Sequence, residues 1–144
     1  LLRQGARRCD RLGGISVRIR RLGRYAAGWV GVKIPARGEV WYADLEPVRG
    51  HEQGGRRPVL VVSSDAYNRG PAQLLLVLPI TSKQRGVLYH VSLEPPDGGL
   101  SVASDILCDA IRSVSRARIG RPLGTVSSPK MALVEDRLRM IQGL

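Results

Sequence analysis

After Pro35 the chain switches abruptly into strand-forming sequence. EVWYADL at 39–45 is rich in Val, Trp and Tyr, residues that fit a pleated, half-buried surface. Similar runs follow at 58–63, 74–80, 88–93, 106–108 and 111–114, separated by turn formers at roughly eight- to twelve-residue intervals. That rhythm predicts an all-β barrel. LLLVLPI at 74–80 is apolar without alternation and is expected to be a central strand buried on both faces. The loops fall at 46–57, 64–73, 81–87 and 94–105. The end is different: SSPKMALVEDRLRMIQGL places Ser128 as an N-cap, Pro129 at the first helical position and Gly143 at the stop. Met131, Val134, Leu138 and Ile141 recur at helical spacing. A C-terminal α-helix lying across the barrel on that face is expected.

Residues 1–36 carry scattered Gly and Arg without a sustained period, and are read as a basic tail ahead of a single domain at 37–144. At 144 residues and 43% hydrophobic the chain can build one core, and with no Phe that core must be Val, Leu, Ile and Ala. The net charge of +11 is uneven: residues 1–36 hold nine Lys/Arg against Asp10, or +8, and residues 37–144 hold fourteen against eleven, or +3. A basic patch suits a polyanion, but most of this one lies outside the expected fold. Cys9 and Cys108 make neither a disulfide framework nor a metal cluster, which suits a reducing compartment. The longest apolar run is far short of the ~20 residues that cross a bilayer. The start has one Ser and no signal-type apolar stretch. A soluble, cytoplasmic protein without a membrane partner is expected.

The polar candidates gather in GHEQGGRRPVLVV at 50–62, where Arg49, His51, Glu52, Gln53, Arg56 and Arg57 surround two glycines and lead into a buried strand. The run lacks the Gly-Lys-Ser/Thr ending of a Walker loop and needs neither a metal nor a nucleotide cofactor. It also reads as a simple turn, in which Gly and polar residues are common. Pro58 restricts Arg57 to an extended conformation, holding the base of its side chain at the strand edge and turning Arg56 to the opposite side. Thr81 and Ser82 end the buried run and emerge at the barrel rim. Lys83 and Arg85 follow in a loop that is either a solvated turn or a phosphate contact. Two imidazoles are the simplest acid/base set for cutting RNA, but His90 alternates with Leu88 and Ser92 as an ordinary strand position. His51 shares the Gly-rich loop with Glu52. Asp105 and Asp109 are read as structural or as part of a groove.

RGEVWYADLEPVRGHEQGGRRPVLVVSSDAYN at 37–68 resembles the start of the MazF/PemK family of toxin endoribonucleases. The likeness continues through VLPITS at 77–82 and SDILCDAIRSV at 104–114 into the terminal helix. It implies a small SH3-like barrel that forms a homodimer, binds a cognate acidic antitoxin and cleaves single-stranded RNA at a short sequence without metal or other cofactor. The family's functional Arg and Thr fall on Arg57 and Thr81, and its loop acid on Glu52. His51 stands where the family loop has Ser, and Ala110 where many members have Gln. His51, Gln53, Arg49, Arg56, Ser82, Lys83 and Arg85 are the expected RNA contacts.

Attack of a ribose 2′-hydroxyl on its own phosphate needs a base, charge stabilisation of the phosphorane and an acid for the leaving 5′-oxygen. It yields a 2′,3′-cyclic phosphate and a 5′-hydroxyl, and DNA cannot follow this path. A guanidinium is a poor proton donor at neutral pH, so Arg57 is assigned chiefly to clamping the phosphate, with a part in proton transfer left open, Thr81 to donating a hydrogen bond, and Glu52 is the candidate base. Competing readings are a non-catalytic toxin of the CcdB type that traps gyrase, and a barrel that only binds RNA. With 20 Arg against 3 Lys the coding region reads as GC-rich, so Val30 or Val32 is an expected natural start. A chain beginning at Val32 is then expected to fold and cut the same sites.

Overall fold

The computed structural model describes residues 33–46, 50 and 54–144. The expected tail, apart from residues 33–36, and the loop residues Arg49, His51, Glu52 and Gln53 lie outside them. In chain order the elements are β1 (Glu39–Asp44), β2 (Arg56–Val61), a single helical turn α1 (Asp65–Asn68), β3 (Leu74–Thr81), β4 (His90–Leu93), β5 (Ser104–Leu107), β6 (Arg112–Ser115), β7 (Ile119–Thr125) and the helix α2 (Ser128–Gln142). All pairings are antiparallel, in the order β4-β5-β3-β2-β1-β7, with β6 also paired to β3. The expected mainly β fold with a C-terminal helix is what the chain forms.

The central strand is the predicted apolar run. The first half of β3 pairs with β6 and its last residues with β5, while β2 runs along its other edge. Val40, Leu60, Leu78 and Ile80 face one core, which Val91, Leu93, Ile106 and Val134 complete. Trp41, Val59, Val61, Leu75, Val77 and Val114 face a second. Burial on both faces removes the pressure for alternation, and each fully buried Val or Leu contributes about 1.5–3 kcal/mol.

Strand β7 is absent from the sequence expectation, because Gly120, Pro122 and Gly124 read as turn residues. As the end strand of the order it tolerates them, and its pairing with β1 shifts register twice. The sheet is drawn round on itself by a close approach that only glycine permits. The turn at 97–99 lies so near β7 that a Cβ on Gly124 would sit 2.7 Å from the Gly99 nitrogen. Asp97 in that turn accepts hydrogen bonds from the Ser127 N–H and hydroxyl at 2.8 and 2.7 Å, fixing the start of α2.

Ser127, one residue before the expected position, is the N-cap, and Gly143 ends the helix with a left-handed φ of 70°. Val134 is fully buried, with Met131 and Leu138 packed on the same core. Ile141 departs from the expected apolar face and is exposed. Strand β4 starts at His90 rather than Leu88, and α1 occupies part of an expected loop, with Ser64 accepting the Tyr67 N–H.

The contacts of the fold reach back to Lys33, ahead of Arg37. Buried Asn68 donates to the carbonyls of Pro35 and Ser63, and Arg116, also buried, donates to the Asn68 carbonyl. Burial pushes the Glu39 carboxyl up, but hydrogen bonds from the Ala36 N–H and the Trp41 indole, with the Lys33 ammonium, outweigh it and hold it low. That contribution is present above the ordinary carboxylate range and lost as pH falls through the lowered value. Burial first, then the Asp109 charge, pushes the Cys108 thiol up to about 12 against the opposing pull of Arg137, so this cysteine is a neutral packing group. Among the described residues no helix is long and apolar enough to cross a membrane.

Candidate active site

Two buried strands end side by side at one rim of the sheet. Ala43 pairs with Arg57, and Val59 pairs with Pro79. Continuing the second register by two residues sets Arg57 across from Thr81, on the same face because side chains alternate with period two. Both line one cleft of about 920 Å³. The Arg57 Nε–H donates to the Gly54 carbonyl at 2.7 Å, tying the guanidinium back to the Gly-rich segment. The Thr81 hydroxyl accepts the Lys83 N–H at 3.2 Å, which directs its own proton elsewhere. Thr81 therefore closes a turn and faces the cleft at once.

Lys83 and Arg85 from the exposed 82–89 segment line the same cleft. Ser82 does not; it borders a neighbouring cleft that shares Arg57, Thr81 and Lys83. Arg56 points to the other side, as its alternation requires, and borders a third cleft with Asp44, Glu46 and Arg118. The structure thus brings together Arg57, Thr81, Lys83 and Arg85, and sets Ser82 and Arg56 apart from them.

His90, read from the sequence as an ordinary strand position, and Asp109, read as structural or as part of a groove, both line the cleft, with Arg112 and Ser113, which the sequence did not single out. The short turn at 108–110 after β5 presents Asp109, and the register of β4 against β5 brings His90 beside it, with its Nε2 3.0 Å from the carboxylate. The imidazole Nδ1 is buried without a hydrogen-bond partner among the described residues. Its exposed partner, Asp109, is therefore the group offered to the cleft, and His90 the one that orients it. Arg112 donates to the Leu45 carbonyl at 3.4 Å. Among the described residues, Arg57, Lys83, Arg85 and Arg112 face one carboxylate, Asp109, so this part of the cleft favours anions. Among the described residues no three His, Cys, Asp or Glu side chains gather as a metal site.

At its rim this small antiparallel barrel holds an Arg and a Thr on adjacent strands over a cationic cleft, the form of an anion-binding domain. Residues 36–141 match the family described as PemK-like, MazF-like toxin of type II toxin-antitoxin system, and the chain belongs to that family. Endoribonuclease MazF9 of Mycobacterium tuberculosis (strain ATCC 25618 / H37Rv) is 36% identical over 109 residues, spanning 72% of this chain and 92% of that protein. Among solved structures, MazF from Deinococcus radiodurans in crystal form I is similar with a TM-score of 0.71 at 34% identity, over 78% of this chain and 99% of that one. An endoribonuclease from a mycobacterial species in complex with its cognate antitoxin gives a TM-score of 0.64 at 27% identity, over 76% and 96%. The resemblance read from residues 37–68 holds.

Proposed function

We propose that this chain is the endoribonuclease toxin of a type II toxin-antitoxin pair, cutting single-stranded mRNA in the cytoplasm through attack of the 2′-hydroxyl on the adjacent phosphate. The observation that supports this reading best is the pairing of Arg57 and Thr81 in one cationic cleft. Arg57 clamps the phosphate and stabilises the charge that builds on the phosphorane. Thr81 donates a hydrogen bond to a non-bridging oxygen. Lys83, Arg85 and Arg112 hold the strand by its backbone, a sequence-independent, salt-dependent contribution. Glu52 is the candidate base that takes the 2′-hydroxyl proton, and water protonates the 5′-oxygen as it leaves and the cyclic phosphate closes. Asp109 is the second candidate for that base, since it is the carboxylate at the described part of the cleft and His90 fixes its orientation. Comparing Glu52→Gln with Asp109→Asn separates them, because only loss of the base removes the rise of the cleavage rate with pH on the acidic side while leaving RNA binding intact.

A defined long RNA incubated in EDTA tests the activity. Discrete fragments from the wild type and at least ~10-fold slower cutting by Thr81→Val are expected, the order of a lost charge-assisted hydrogen bond. Intact RNA together with arrested gyrase supercoiling would favour the gyrase-trapping reading instead. Intact RNA that is nonetheless bound would leave a binding barrel.

The working unit is proposed to be a symmetric homodimer. Val87 and Ile111 line the cleft while Leu88 and Tyr89 beside them stay exposed, an apolar margin that a second copy would cover. The cationic groove also suits an acidic segment of a cognate antitoxin, which should compete with RNA. Light scattering at micromolar concentration is expected to give twice the chain mass; a monomer that cuts RNA at full rate would exclude the dimer.

A further inference from the structure

The cleft at Arg57 does not end there. A smaller one of about 510 Å³ continues from it, sharing Arg57, Thr81 and Lys83, and its far wall is made by Tyr42 and Arg121. Tyr42 pairs with Pro58 on β2, so it stands one residue along the sheet from Arg57 but on the other face. On its other side β7 carries two residues, Gly120 and Arg121, between the pairings Ala43 with Ile119 and Trp41 with Pro122. That bulge re-aims Arg121. Its guanidinium carbon lies 4.7 Å from the centre of the Tyr42 ring.

Three features give this wall the chemistry of a base-binding slot. Arg121 is exposed and, among the described residues, forms no ion pair, so the Tyr42 ring rather than a carboxylate is the neighbour of its guanidinium. Val102 opposite is an apolar side chain left 58% exposed, which a flat ring would cover. Ser101 brings a hydroxyl side chain to the same cleft. Arginine planes and aromatic faces are the surfaces on which unpaired RNA bases stack.

We propose that Tyr42 and Arg121 form a nucleobase-stacking subsite for the nucleotide next to the cleaved phosphate. The occupant belongs to the same RNA strand because the subsite opens directly into the cleft that holds the phosphate, and the inference rests on that cleft being the cutting site. The subsite selects and positions; it takes no part in bond breaking.

The test uses a short RNA containing one mapped cleavage site, with abasic positions introduced one at a time on either side of the cut. Arg121→Ala and Tyr42→Leu should each lower kcat/KM about 10-fold, mostly through KM, within the range of one lost base stack. Tyr42→Phe should retain the wild-type value, since the ring remains. One abasic position adjacent to the cut should cost the wild type the same factor and cost Arg121→Ala nothing further. If Arg121→Ala cuts like the wild type, or if its loss multiplies with the abasic loss at every position, the subsite is wrong while the cutting site stands. A wild type that cuts no RNA would instead sink the functional reading and this subsite with it.

Discussion

Replacing Arg57 by Ala is expected to slow RNA cleavage at least ~100-fold, about 3 kcal/mol, the order found when one preorganised donor to a developing oxyanion is removed. Binding of uncut RNA should weaken much less, because Lys83, Arg85 and Arg112 remain in the cleft. Position is what makes this arginine different from its neighbours. Pro58 restrains its backbone, pairing with Ala43 fixes its face, and the bond from Nε to Gly54 holds its head. Arg56, next in sequence, faces away, and Arg56→Ala should leave the cleavage step near wild type. Arg57→Lys should not rescue activity, since an ammonium lacks the planar fork that grips two phosphate oxygens. Single-turnover rates against binding constants give the comparison. Wild-type turnover in Arg57→Ala would place the chemistry elsewhere.

The second large effect concerns stability. A Cβ on Gly99 would lie 2.0 Å from the Leu123 carbonyl oxygen and 2.5 Å from its carbon, and φ there is +71°. Both obstacles are backbone, so no side chain can move aside. Gly99→Ala is expected to cost at least about 3 kcal/mol, combining left-handed strain with separation of the 97–99 turn from β7. Gly86 provides the control: its φ is +65° but nothing lies within 4 Å of the added carbon, so Gly86→Ala should cost only about 1–2 kcal/mol. Thermal unfolding of the two variants separates steric closure from backbone strain. Equal midpoints would mean that the sheet is not closed through this contact.

The same contact shows where sequence reading stops. Apolar runs and helix caps are local signals, so β1, β3 and α2 could be placed from EVWYADL, LLLVLPI and the Pro129 to Gly143 spacing. β7 could not, because Gly120, Pro122 and Gly124 carry turn signals, and the reason for Gly124 lies in a turn some 25 residues earlier in the chain, at Gly99. The place of Arg57 and Thr81 at the rim was legible because each lies at the end of a buried strand, which fixes where its side chain emerges. His90 was not: alternation tells which face a residue takes, but not that the turn after β5 sets Asp109 3.0 Å from its ring. Tyr42 likewise read as part of a strand, and only the bulge opposite it reveals Arg121 as its partner.

The most direct measurement is the chemistry of the ends. A short RNA with one cleavage site, cut in EDTA, should yield a 2′,3′-cyclic phosphate on one fragment and a 5′-hydroxyl on the other. The same RNA with a single 2′-deoxy nucleotide immediately 5′ to the cut phosphate should stay intact at that bond while binding with similar affinity. A 5′-phosphate on the downstream fragment, or cutting of the deoxy-substituted bond, would contradict attack by the ribose hydroxyl and with it the roles given to Arg57 and Thr81.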